Sequence, residues 1–295
     1  MSLTALPVVE IDPVADEETA ARATWYAFRH NPLGLAALVL LGLLLLIAVA
    51  APLLAAYPTG YSTAVLVGPS GTHLFGTDSL GRDVFAEVVW GTRISMTVGA
   101  CASALAIGIG VLVGMLGAYF PRVDVLLRLV VDLSLSLPVL PLMILVAAVA
   151  GPSLPTIIVV ISFFSWPEVA RVVRSQALSI VGLPYMDAAR LIGGRHGWIL
   201  RHHLLPAVAP IITVSVVLTA SRAVIAEAGL SFLGLGDPNS WSWGRVLYES
   251  QQSGAMTSAW WTTLFPSVAI LLLVVAATLV AIAYNDARSP RGRES

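Results

Sequence analysis

Long apolar runs separated by short polar breaks set the pattern of this chain, and the run lengths predict its elements. A helix crossing a hydrocarbon layer of about 30 Å needs about 20 predominantly apolar residues. Six runs meet that length, at about 33–56, 94–120, 126–150, 155–173, 208–234 and 260–283. The first, "LGLAALVLLGLLLLIAVAAPLLAAY" (33–57), holds no charge. The fourth is interrupted at Trp166-Pro167, with Glu168 following. Between the runs lie a polar stretch over 58–93, short links near 121–125 and 151–154, and a loop near 235–259. The pattern predicts an all-α polytopic membrane protein with six transmembrane helices.

One polar segment stands out, "MDAARLIGGRHGWILRHHLLP" (Met186–Pro206), with four charged residues and three histidines between apolar runs. Pro184 suits a first helical turn, where its missing N–H costs nothing. Asp187 favours the positive end of the helix dipole. Ala188, Leu191 and Ile192 then share one face, and Gly193-Gly194 closes the helix through a left-handed residue. A second helix is expected over about 196–203, and Pro206 marks the entry to the fifth span. An apolar face without a bilayer-spanning partner fits a groove on another protein.

Composition narrows the class. The chain is 57% hydrophobic and 11% charged, with a mean hydropathy of +0.87. Soluble domains are about a quarter charged. The net charge of −1 implies no nucleic-acid partner, and the single cysteine, Cys101, excludes a disulfide framework or a cysteine-based metal site. Residues 1–21 carry five acids and no arginine, the reverse of a signal-peptide start, so the first run is expected to stay as a signal anchor.

Charge also orients the spans. With a cytoplasmic N-terminus, twelve arginines fall on inner segments (22, 29, 122, 128, 171, 174, 190, 195, 201, 288, 291 and 293) and three on outer ones (82, 93 and 245). The positive-inside rule then places both termini and the 186–206 segment in the cytoplasm. Trp241, Trp243, Trp260 and Trp261 read as interfacial indoles, and Gly108, Gly110, Gly114 and Gly117 as a close helix contact. Internal repeats are absent, which gives an inverted-repeat carrier no support.

"DAARLIG", followed by nine residues and "HLLP", resembles the EAA loop of ABC importer permeases. "FRHNPLGLAALVLL", "HLFGTDSLGRDVFAEVVWGTRISMTVG", "WPEVARVVRSQAL" and "AEAGLSFLGLGDPNSWSWG" resemble the dipeptide/oligopeptide (DppC/OppC-type) branch, and together these cover roughly 28–250. Asp187 stands for the family's usual Glu. The tail "AIAYNDARSPR" keeps Asp286, Pro290 and Arg291 but lacks the leading Gly-Asp, so its contact with an ATPase is not implied.

The resemblance implies the type I ABC importer permease fold in a bacterial inner (plasma) membrane. It divides the chain into a cytoplasmic segment (1–32), a first helix (33–57), an extracytoplasmic loop (58–93), a five-helix core (94–283) with its coupling loop (175–207), and a cytoplasmic tail (284–295). It implies a second homologous DppB/OppB-like permease, two cytoplasmic ATP-binding subunits and an extracytoplasmic solute-binding protein. ATP and Mg are used by those partners, and no cofactor is expected on this chain, which has neither a GxxxxGK[ST] loop nor any lysine. No catalytic or metal-binding residue is assigned. The docking contacts are expected from Asp187, Ala188, Ala189, Leu191, Ile192, Gly193, Leu205 and Pro206.

Other polar residues have a functional and a plain reading. Arg222 and Glu227, inside the fifth span, either form a polar patch on the translocation path or pair structurally with a neighbouring helix. Asp78, Arg82 and Asp83 either contact the solute-binding protein or cap and brace the outer loop. Asp124 and Asp132 are expected to pair with Arg122 and Arg128. His196, His202 and His203 read as interfacial polar residues. A membrane-embedded enzyme lacks a nucleophile–base set in the spans. A stand-alone channel or carrier remains a rival reading, as does a non-peptide cargo such as nickel or haem.

Overall fold

The computed structural model describes residues 24–288, and no strand occurs among them beyond an isolated bridge between Thr77 and Asp83. Arg22, Pro290, Arg291 and Arg293 lie outside the described residues. The principal helices are α1 (Pro32–Leu54), α2 (Val84–Tyr119), α3 (Pro121–Ser136), α4 (Val139–Ala150), α5 (Leu154–Val181), α6 (Pro184–Leu191), α7 (His196–Ile199), α8 (Leu205–Phe232), α9 (Trp243–Gln252), α10 (Ala255–Ser258) and α11 (Trp261–Arg288). A π-helical turn, Leu200–Leu204, joins α7 to α8 without a break.

Five helical stretches are long and apolar enough to cross a membrane, and the bent pair α3–α4 makes a sixth. The third span was expected as one rod over 126–150. Instead α3 and α4 meet at 86°. Pro138 is the cause, because the residue before a proline is pushed out of the helical region. Leu137 accordingly sits at φ −80°, ψ 145°. The fourth span departs the other way: α5 runs unbroken through Pro167 for 28 residues. Neighbouring helices in a bundle can compensate the hydrogen bond a proline removes. α5 therefore extends into the expected 175–207 loop, and α11 extends into the expected tail.

α2 begins at Val84 instead of near 94. Asp83 caps it by accepting from the Phe85 N–H at 2.9 Å, and its first turns bury Val84, Val88 and Val89. At its centre α2 lies close against α5. A Cβ on Gly110 would sit 2.6 Å from Val169, and one on Gly114 would sit 2.7 Å from the Ala170 carbonyl. These two glycines form the GxxxG pair that permits the approach, whereas Gly108 meets open space.

Three of the four tryptophans expected at the membrane interface are core residues. Trp243 is fully buried and its indole N–H donates to the Val88 carbonyl at 3.1 Å. Trp261 donates to the Thr77 carbonyl at 3.0 Å. The buried Trp241 ring lies between two guanidiniums, with Arg82 at 4.5 Å and Arg245 at 4.7 Å. Only Trp260 of the four is largely exposed. An indole satisfies its N–H inside as readily as at an interface, so count alone does not separate the two.

Candidate functional site

The polar segment singled out above is built at the C-terminal end of α2. Leu183, extended at ψ 145°, leads into Pro184, and α6 runs eight residues. Its inner side, Met186 and Ala189, is buried with Tyr119, Val173, Ala177, Ile180, Ile199, Leu204 and Val208. Its outer side carries Ala188, Leu191 and Ile192; Leu191 is 87% and Ile192 83% exposed.

The helix ends as expected at the glycine pair, and each glycine has its own reason. Gly193, at φ +86°, takes the left-handed conformation and its N–H donates to Arg190 O at 3.1 Å. The Gly194 N–H reaches Ala189 O at 3.0 Å, completing a Schellman closure. A Cβ on Gly194 would lie 2.7 Å from that carbonyl. Asp187 pairs with Arg190 at 2.9 Å, the Arg190 guanidinium covers the Tyr119 ring at 5.0 Å, and Tyr119 hydrogen-bonds His196 at 2.9 Å. Of the predicted set, Asp187, Ala188, Leu191, Ile192 and Gly193 face outward. Ala189 is a packing residue, and Leu205 and Pro206 open the next helix, both on its exposed side.

Ion pairs step up α5 from this end. Arg174 grips Asp124 with two bonds of 2.5 and 2.6 Å, and Arg171 holds Asp132 at 2.7 Å. The expected same-helix partners Arg122 and Arg128 are thus replaced by arginines of α5, which face α3 directly. Higher up, Glu168 of α5 pairs with Arg222 of α8. Arg222 and Glu227 are not brought together. Glu227 is buried between helices and accepts hydrogen bonds from Ser231 at 2.6 Å and Ser95 at 3.1 Å. The signal missed in the sequence was Glu168, which had been read only as part of a helix interruption.

At the opposite end, Asp78 and Arg82 turn inward. Asp78 accepts from the Leu80 and Arg82 backbone N–H groups at 2.8 and 2.7 Å and from the Arg82 side chain at 2.7 Å. Arg82 also approaches Glu87 at 3.4 Å and Glu249 at 3.9 Å. Asp83 caps α2 and lies 3.8 Å from His73. These three residues brace the loop from inside. Nearby, the Tyr57 hydroxyl donates to the Asn239 carbonyl at 2.8 Å, and burial raises its pKa above the ordinary tyrosine value.

Residues 106–293 match the family of binding-protein-dependent transport system inner membrane components. The chain belongs to that family. Residues 19–69 of the permease also match the N-terminal transmembrane domain of oligopeptide transport permease C. It is 36% identical to a dipeptide transport system permease protein DppC of Alkalihalophilus pseudofirmus, over 95% of this chain and 93% of the relative. The DppC of Bacillus subtilis is 35% identical over 91% of this chain and 85% of the relative. A peptide transport system permease protein of Brucella suis, its name qualified as provisional, is 35% identical over 86% of each. Among solved structures, a chain of the MetNI methionine ABC transporter in inward-facing conformations superposes with a TM-score of 0.54 at 20% identity. The match covers 68% of this permease and 97% of that chain, and it carries the fold, which is that of a type I ABC importer permease.

Proposed function

We propose that this permease forms half of the translocation pathway of an ATP-driven peptide importer, paired with a second homologous permease. Two ATP-binding subunits dock on its inner face, and an extracytoplasmic solute-binding protein delivers the cargo. The relatives named for dipeptide and peptide transport support a peptide substrate. The asymmetry of arginines supports cytoplasmic termini and a cytoplasmic α6.

One observation carries the coupling role: Leu191 and Ile192 stand 87% and 83% exposed on a short helix whose other side is locked in the core. A helix presenting an apolar face to a groove is a recurrent docking mode. When two ATPase subunits close on ATP, their docked helices are drawn together, and α5 and α8, which flank the α6–α7 segment in the chain, carry the motion across the bundle. ATP shifts the equilibrium only through contacts that differ between the two states, and the α6 knob supplies such contacts.

The test is to co-express the permease pair with the ATPases and introduce Leu191→Asp with Ile192→Asp. The doubly charged variant should insert normally, lose co-purification of the ATPases, and abolish uptake. Wild-type co-purification and uptake in that variant would contradict docking through α6.

A further inference from the structure

Arg222 and Glu168 form an ion pair between α8 and α5 that is half open: their side chains are 48% and 53% exposed. Glu168 lies midway along the 28 residues of α5, a helix that rises roughly 42 Å at about 1.5 Å per residue. Glu168 also lies inside the apolar run 155–173, roughly 7–8 Å from its end at 173, so the pair sits in the half of a hydrocarbon layer of about 30 Å that is nearer α6. Charges at that depth are costly against lipid and face protein or water-filled space instead. Around it Phe163 and Val159 are exposed on α5 and Val216 and Ile225 on α8, while one turn toward α6 the Arg171–Asp132 pair stands about as open, at 57% and 53%. The open side of the pair therefore belongs to the interior of the assembled transporter.

We propose that Glu168 and Arg222 read the two ends of a zwitterionic peptide in transit, a role that rests on the peptide-importer reading above and deepens it. In the empty pathway the two side chains neutralise each other. A passing peptide exchanges partners with them: its terminal ammonium takes the Glu168 carboxylate, and its terminal carboxylate takes the Arg222 guanidinium. Arginine's planar fork suits a carboxylate in two-point contact, whereas an ammonium accepts any carboxylate geometry. No bond is made or broken and no net charge is stranded at bilayer depth in either state, which a lone charge could not achieve. Glu227, sealed by Ser95 and Ser231, takes no part.

The assembled importer tests this with Glu168→Gln/Arg222→Gln, which removes both charges together and leaves neither unpaired. Uptake is measured at receptor-saturating concentrations for a free dipeptide, its N-acetyl form, its C-terminal amide and the analogue blocked at both ends. Each rate is divided by the wild-type rate for the same compound, so selection by the separate receptor cancels. The free dipeptide should fall about tenfold or more, the loss of charge-assisted bonds, while an analogue blocked at both ends is unchanged. Glu168→Gln alone should lose the distinction between free and N-acetyl forms, and Arg222→Lys should restore part of the uptake lost in Arg222→Gln. Equal ratios for all compounds, whether preserved or collapsed, would overturn the proposal and leave a structural pair. Failure of the wild-type assembly to move any of these peptides would instead overturn the peptide reading itself.

Discussion

The two ends of this bundle treat polar and apolar groups in opposite ways. At the Asp78 end, charges and indoles turn inward: Asp78, Arg82 and Glu87 meet beneath the loop, and Trp243 and Trp261 donate to carbonyls within the core. At the α6 end, apolar side chains turn outward, with Leu191 and Ile192 in the open. The Asp78 end is braced by ion pairs and hydrogen bonds among its own groups, although His73 Nδ1 and Glu87 Oε1 are buried without a hydrogen-bond partner. The α6 end leaves its apolar side chains uncovered. Buried polar contacts are therefore concentrated at the Asp78 end, whereas the proposed ATPase docking lies where little stability is at stake.

Substitutions can break or sharpen that contrast, and their expected effects on the isolated permease fall in a clear order. Trp243→Ala empties the core beside Gly91 and removes the indole hydrogen bond to the Val88 carbonyl, which keeps that of the Thr92 hydroxyl; a loss of about 4 kcal/mol is expected, read as the largest drop in denaturation midpoint in detergent. Arg82→Met strands the carboxylates of Asp78 and Glu87, and about 3 kcal/mol is expected. A midpoint close to wild type there would show that the outer brace is dispensable. Gly193→Val must hold a branched residue at φ +86°, costing about 1–2 kcal/mol; retention of the fold with reduced coupling of ATP hydrolysis to uptake is the expected pairing. Leu191→Asp with Ile192→Asp changes stability by less than about 0.5 kcal/mol, as for exposed sites generally. That smallest effect carries the sharpest contrast, since ATPase binding should vanish while the denaturation midpoint stays put.

How far the sequence could be read varied with the range of the interaction involved. The Gly193-Gly194 stop and the α6 face were legible because a Schellman closure and an i, i+3, i+4 face are local matters. The bend at Leu137-Pro138 was equally local, yet the uninterrupted hydropathy of 126–150 masked it. Pro167 misled in the other direction: a proline signals interruption, but α5 is held straight by its packing against α2 at Gly110 and Gly114. Partner choice was least legible. Asp124 and Asp132 were assigned to arginines on their own helix, whereas Arg174 and Arg171 reach them from α5. Glu168 is legible in the sequence as a charge after Trp166-Pro167, but its partner Arg222 is supplied by α8, distant along the chain.

Run lengths and charge distribution were enough to establish a helical membrane protein with about six crossings and an amphipathic knob between two of them. Both follow from free energies that act along the chain, the transfer of apolar side chains into lipid and the closure of helix ends. Tertiary structure alone decided which charges meet, which tryptophans are core, and that Arg222 faces Glu168 while Glu227 is sealed among serines. Those outcomes depend on distances of a few ångströms between helices far apart in sequence, and a hydropathy pattern has no access to them.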